Sequence, residues 1–142
     1  MKKNDLDWSD NEKLHLAVQD GDFFKVKGLI GQGWNINQFD DLGNTPLHYA
    51  VIDGNIAMAK YLLDCGANVN SHDESRIGNT PLGDVAENCT FMMANLLIEY
   101  GANPTIPGWM QLTPLHRAKT RKKEQGIRVY NLLLEESKKY SK

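Results

Sequence analysis

The sequence predicts an all-α protein, a solenoid of four stacked helix–turn–helix–loop units with capping units at its ends. Two observations carry this reading. First, the string Asn44-Thr45-Pro46-Leu47-His48-Tyr49-Ala50 returns as Asn79-Thr80-Pro81-Leu82 and as Leu112-Thr113-Pro114-Leu115-His116-Arg117-Ala118. Thr80 follows Thr45 by 35 residues and Thr113 follows Thr80 by 33, while a fainter copy, Glu12-Lys13-Leu14-His15-Leu16-Ala17, begins 33 residues before Thr45. Second, Leu29 to Asn37, Leu62 to Asn70 and Leu97 to Pro104 also match, and Gly33, Gly66 and Gly101 each fall 21 residues after Glu12, Thr45 and Thr80. Two motifs at one fixed separation, seen three times, define a repeat.

Each element follows from its residues. Thr45, Thr80 and Thr113 suit the N-cap, where a hydroxyl accepts a bond from an orphan backbone N–H. Pro46, Pro81 and Pro114 then stand at the first helical position, where a missing N–H is harmless. Leu47, Ala50 and Val51 follow at helical spacing, and Gly21 and Gly54 end the short inner helices. The outer helix is expected over Ile56 to Leu63, with Gly66 as its left-handed cap. A polar Asn- and Gly-rich loop connects each unit to the next.

The T-P-L-H-x-A signature and the ~33-residue period resemble the ankyrin repeat. The resemblance covers residues 7 to 140, in units of 7–39, 40–74, 75–107 and 108–142, and makes residues 1–142 one domain. It implies that His48 and His116 are structural hydrogen-bonding residues rather than catalytic or metal-binding ones. The third unit departs from the pattern, with Gly83 for His and Val85 for Ala, which predicts a weaker inner helix there. Lys25, in place of an apolar outer-helix residue, and the solvated Glu135 to Lys139 segment read as capping features of a complete protein. Two insertions are expected in loops, one around Ser71 to Ile77 and one within Lys119 to Gln125.

A chain of 142 residues bounds the protein to one domain. It contains neither a membrane-length apolar run nor an apolar leader. Cys65 and Cys89 lie at unrelated repeat positions without metal-ligand spacing, so no metal, cofactor or disulfide framework is expected and the cytoplasm is the expected location. Residues 1–108 hold 7 Lys+Arg against 15 Asp+Glu, and residues 109–142 hold 9 against 3. Such an acidic body with a basic end bears on partners rather than on fold.

The resemblance also implies a concave binding surface built from the loop tips and the exposed sides of the inner helices. Its expected residues are Trp8 and Asp20 in the first unit, then Asp41, Leu42, Tyr49, Ile52 and Asp53 in the second. Arg76, Ile77, Asp84, Glu87 and Asn88 follow in the third, and Trp109, Met110, Arg117 and Arg121 in the fourth. Carboxylates flanked by tryptophans fit an anchor-and-steering pattern. Trp34 is expected to be partly buried. Phe24 and Met92 mark either a convex contact or packing on a neighbouring helix.

These residues imply a non-enzymatic module that binds another protein with a basic surface and is monomeric when free. An immunity protein neutralising a toxin such as a nuclease fits, since a nuclease surface must attract polyanionic nucleic acid. A host-directed effector or a scaffold is the alternative. Neither nucleic acid nor membrane is an expected partner, and the basic run at 119–125 reads as a solvated turn. No phosphate loop, metal-spaced His/Cys set or nucleophile elbow supports an enzyme.

Overall fold

A computed structural model describes residues 12–141. Among the described residues eight α-helices follow one another in four pairs: α1 (Lys13–Asp20) with α2 (Phe23–Gly31), and α3 (Pro46–Ile52) with α4 (Ile56–Asp64). They continue with α5 (Pro81–Val85) and α6 (Phe91–Glu99), then α7 (Pro114–Ala118) and α8 (Glu124–Ser137). The inner helices stack α1 on α3, α3 on α5 and α5 on α7, while α4, α6 and α8 form an outer row. Among the described residues there is no strand, and the loops between units are called fingers below. The all-α repeat architecture is therefore as the sequence implies.

Local chemistry sets each boundary. Thr45, Thr80 and Thr113 accept the backbone N–H of His48, Gly83 and His116, and Pro opens each of those helices. The outer helices are capped by three different residues doing one job: Asp22, Asn55 and Thr90 accept from Lys25, Met58 and Met93. At their other ends Gly33, Gly66 and Gly101 adopt φ of 96°, 103° and 95°. That conformation lets the following N–H return to the carbonyl of Leu29, Leu62 or Leu97.

Each unit buries one layer of a continuous core. Leu14, Val18 and Val26 lead into Leu47, Met58 and Leu62, then Leu82, Met93 and Leu97, and finally Val129 and Leu133. Lys25 is exposed at the position of buried Met58 and Met93. Trp34 is half-buried against the core.

An asparagine ladder sets the spacing of the outer loops. Asn37 Oδ1 accepts the Asn68 N–H at 2.8 Å, and Asn70 Oδ1 accepts the Asn103 N–H at 2.8 Å. Asn70 Nδ2 also donates to the Gly101 carbonyl at 3.1 Å. These bonds satisfy backbone groups that would otherwise compete for water at each junction.

Two expectations need correction. The insertion placed between the helices of the fourth unit is only partly a loop, because Glu124 and Gln125 belong to α8, which has 14 residues against nine in α2, α4 and α6. The extra turn does structural work: Gln125 Oε1 accepts the Phe91 N–H at 2.9 Å, and the Arg128 guanidinium lies 4.2 Å from the centre of the Phe91 ring. Second, Phe24 and Met92 do not pack on neighbouring helices; Phe24 is 89% exposed and Met92 69%.

Two substitutions test this packing by urea denaturation. Leu97→Ala removes a fully buried side chain between α6 and α8 and is expected to lower stability by about 2–5 kcal/mol. Gly28→Ala, in the interior of α2 where an added Cβ meets nothing within 4 Å, is expected to raise stability by about 1 kcal/mol.

Candidate functional site

The inner-helix side is organised by what the stack itself consumes. His48 Nε2 donates to the Asn79 carbonyl at 2.8 Å while its Nδ1 accepts the Thr45 N–H at 3.0 Å. His15 reaches across the preceding junction in the same way, to the carbonyls of Gln38 at 2.7 Å and Asn44 at 3.1 Å. His116 closes the capping box of α7 through Thr113. These histidines hold backbone, in agreement with the structural role that the resemblance implies. Burial holds His48 below its ordinary value of 6.5, against the opposing pull of the Asn79 carbonyl and the Asp84 and Asp40 carboxylates.

Several expected binding residues serve the scaffold too. Tyr49 donates its hydroxyl to Asp40 and accepts from Asn44 Nδ2 at 3.4 Å. Burial, the Asp40 hydrogen bond and nearby carboxylates push the Tyr49 phenol up to about 12. Asp40 Oδ1 also accepts the Leu42 and Asn44 N–H groups, both at 2.9 Å, and so shapes the first finger. Arg121 turns away from the groove and donates to the carbonyls of Ala86 at 3.3 Å and Cys89 at 2.9 Å. It thereby satisfies groups at the end of α5. Arg76 faces Asp73 at 3.5 Å and remains exposed.

The third finger is held differently. Asn79 Oδ1 accepts the Trp109 N–H at 3.0 Å, and Arg117 Nη2 donates to the Trp109 carbonyl at 2.9 Å. Both sides of the Trp109 backbone are thus pinned, while its side chain is left 59% exposed. The neighbouring glycines make room for this clamp. A Cβ on Gly108 would come within 2.0 Å of Asn79 Oδ1, and one on Gly83 within 3.2 Å of Asn79 Cβ. Met110 and Gln111 take φ of 60° and 59°, a strained conformation for residues with a Cβ. Ile77 does the same at 53° on the finger before.

Asp84 lies under this clamp, accepting from Asn79 Nδ2 at 3.1 Å. Burial raises its carboxyl above the ordinary value of 3.8, opposed by His48, Asn79 and Arg117. The remaining carboxylates divide by position. Asp20 ends α1, Asp53 caps the end of α3 and Glu87 follows α5, so these exposed groups line the turn edge of the inner row. Exposed Asn88 belongs to that edge, and exposed Ile52 immediately precedes Asp53 as the last residue of α3. Asp41, Leu42, Ile77, Trp109 and Met110 are exposed on the opposite, finger edge. Trp8 lies outside the described residues.

Sequence reading did not identify the Asn79 clamp. Its only trace is the coincidence of Gly83, where the repeat has His, with Gly108 one unit later. The thiol of Cys89 is buried and pushed above its ordinary 9.0 by that burial. His72 and His116 are spent on the Asn70 carbonyl and on Thr113. No helix among the described residues is long and apolar enough to cross a membrane.

The family model for ankyrin repeats, in three copies, matches residues 14–108, more than half of the chain. The chain belongs to the ankyrin-repeat family, and such repeats mark a protein–protein interaction module. No curated protein matches the sequence.

His48 gives the site a pH signature. The folded protein holds the ring neutral while the unfolded chain protonates it near 6.5, so its contribution is complete above that value and lost as pH falls toward the depressed folded value. Asp84 has the opposite sign, its burden easing as acid protonates the raised carboxyl. Urea unfolding across about pH 5 to 7 is expected to show stability falling with acid, and His48→Gln to flatten that slope.

Proposed function

We propose that this chain is a non-enzymatic binding protein that holds a basic protein partner across its concave side. In this reading it is an immunity protein, cytoplasmic and of bacterial type, neutralising a toxin such as a nuclease. The observation that supports it is the alignment of Asp20, Asp53 and Glu87 along one exposed edge, with a pinned Trp109 and an exposed Met110 on the other. Separated carboxylates accelerate encounter with a cationic surface, and a pre-ordered aromatic gives it an anchor without loss of backbone freedom. A nuclease offers such a surface because it must attract phosphate.

The test begins with capture of the partner from native lysate and continues with association rates on the purified pair. The association rate is expected to fall with salt as the Debye length shrinks from ~10 Å at 0.1 M to ~3 Å at 1 M. Asp53→Lys with Glu87→Lys is expected to weaken binding by several kcal/mol where like charges meet. Trp109→Ala is expected to act mainly through faster dissociation. Glu99→Lys, on the outer helix α6, is the control. Binding lost in the control and kept in the groove variants would place the partner on the convex side and remove the reading's physical basis.

A further inference from the structure

Beside the start of α1 lies a cleft of about 320 Å³ whose walls include Glu12, His15, Trp34, Phe39, Asp40 and Asp41. Three of these residues depart from the repeat. Glu12 stands where the later units have Thr45, Thr80 and Thr113, Trp34 where they have Ala67 and Ala102, and Phe39 where the second has His72. The later units stack without a carboxylate, a tryptophan or a phenylalanine at those places.

The buried wall of the cleft holds an acceptor without a donor. His15 is 1% exposed. Its Nε2 meets the Gln38 and Asn44 carbonyls, so that nitrogen carries the proton and Nδ1 is left to accept. In the second and fourth units the same nitrogen turns back to the N-cap threonine, accepting the Thr45 N–H at 3.0 Å and the Thr113 N–H at 3.3 Å. Glu12 stands at that place in the first unit. It makes no side-chain cap bond and turns its carboxylate onto the Asp41 N–H at 3.1 Å. Among the described residues nothing bonds to His15 Nδ1. The ring is thus aimed at the start of α1, where Glu12 walls the cleft, and a buried acceptor left unmet is costly.

We infer, on the reading that the partner is basic, that this cleft receives a guanidinium side chain of that partner. Three carboxylates line it and no lysine or arginine does. Asp40 is engaged with Tyr49 and with the N–H groups of its own finger, which leaves Glu12 and Asp41 to meet a cation. Among the described residues no three such groups are placed to hold a metal ion. Trp34 and Phe39 supply ring surface, and aromatic walls beside carboxylates suit an organic cation. Guanidinium fits better than ammonium. It is planar, weakly hydrated and stacks on rings, and its fork of donors can serve a carboxylate and His15 Nδ1 together. Position agrees as well, because Asp41 and Leu42 are exposed on the finger edge, so a partner lying across the inner helices passes the mouth of the cleft.

N-acetyl-arginine amide is the probe, titrated into the full-length chain and followed by NMR at the Trp34 indole and the His15 ring nitrogens. A dissociation constant of about 1 mM is expected, with both signals moving, as befits one side chain in a shallow cleft. The neutral isostere N-acetyl-citrulline amide is expected to bind about tenfold more weakly or less. Two substitutions return the repeat's own residues and so spare the fold, which unchanged shifts elsewhere in the spectrum would show. Glu12→Thr gives His15 the partner that Thr45 gives His48, and Trp34→Ala restores the alanine of the later units. Each is expected to weaken the probe, and the captured partner, by about tenfold or more. A probe that moves neither signal overturns the inference, and so does one that binds both variants as it binds the wild type. A partner indifferent to both variants also overturns it and gives the cleft to a free guanidinium compound. Failure of the basic-partner reading itself shows elsewhere, in the Asp53→Lys with Glu87→Lys variant, which leaves the cleft untouched.

Discussion

The hydrogen bonds that side chains make to the backbone of the next unit are the constraint on which the rest of the structure depends. A pair of helices of five to nine residues cannot bury enough surface to hold itself together, so its fold is inseparable from its neighbour's. Apolar contact between units is non-directional and would tolerate sliding. His15, through the Asn44 carbonyl, and His48 remove that freedom on the inner row, and Asn37 and Asn70 remove it on the outer loops, each by meeting a particular backbone group of the following unit. The apolar layers then fall into line as a consequence of register.

This constraint also decides which polar groups remain for a partner. Tyr49, Asp40, Arg121 and Asn79 all look like surface residues in the sequence, and each is engaged in holding a finger or a helix end. Asp20 is the last residue of its inner helix, and Asp53, Glu87 and Asn88 sit just past the ends of theirs, all four exposed. They are free to be acidic, and three of the four are. The inner-helix side thus combines a scaffolded finger edge with an unencumbered turn edge.

How much of this was legible follows from the range of the interactions involved. Thr45 and Pro46 act within one turn, so their helix starts could be read directly, and Gly66 marks its helix end for the same local reason. The caps of the outer helices were harder to see because Asp22, Asn55 and Thr90 share chemistry but not identity. The extra turn of α8 was misplaced into a loop because its support, Gln125 on Phe91, spans 34 residues. Exposure at Phe24 was equally hidden: periodicity gives the face of a helix but not whether anything lies opposite it.

The third unit shows what happens when the repeat gives up its own staple. With glycine at position 83 there is no ring to reach the next finger, and the junction would lose the bond that His48 makes one unit earlier. Asn79 takes over that task. It sits in the space a larger residue would fill, accepts the Trp109 N–H, and requires Gly108 to lie flat against it. The backbone beyond is forced into two consecutive left-handed residues, Met110 and Gln111. Strain of about 1–2 kcal/mol per residue is tolerated only where the surroundings over-determine it. Here Asn79 from one side and Arg117 from the other supply that determination. The junction with the least standard chemistry is therefore also the one that displays an ordered tryptophan, and both properties follow from the loss of one histidine.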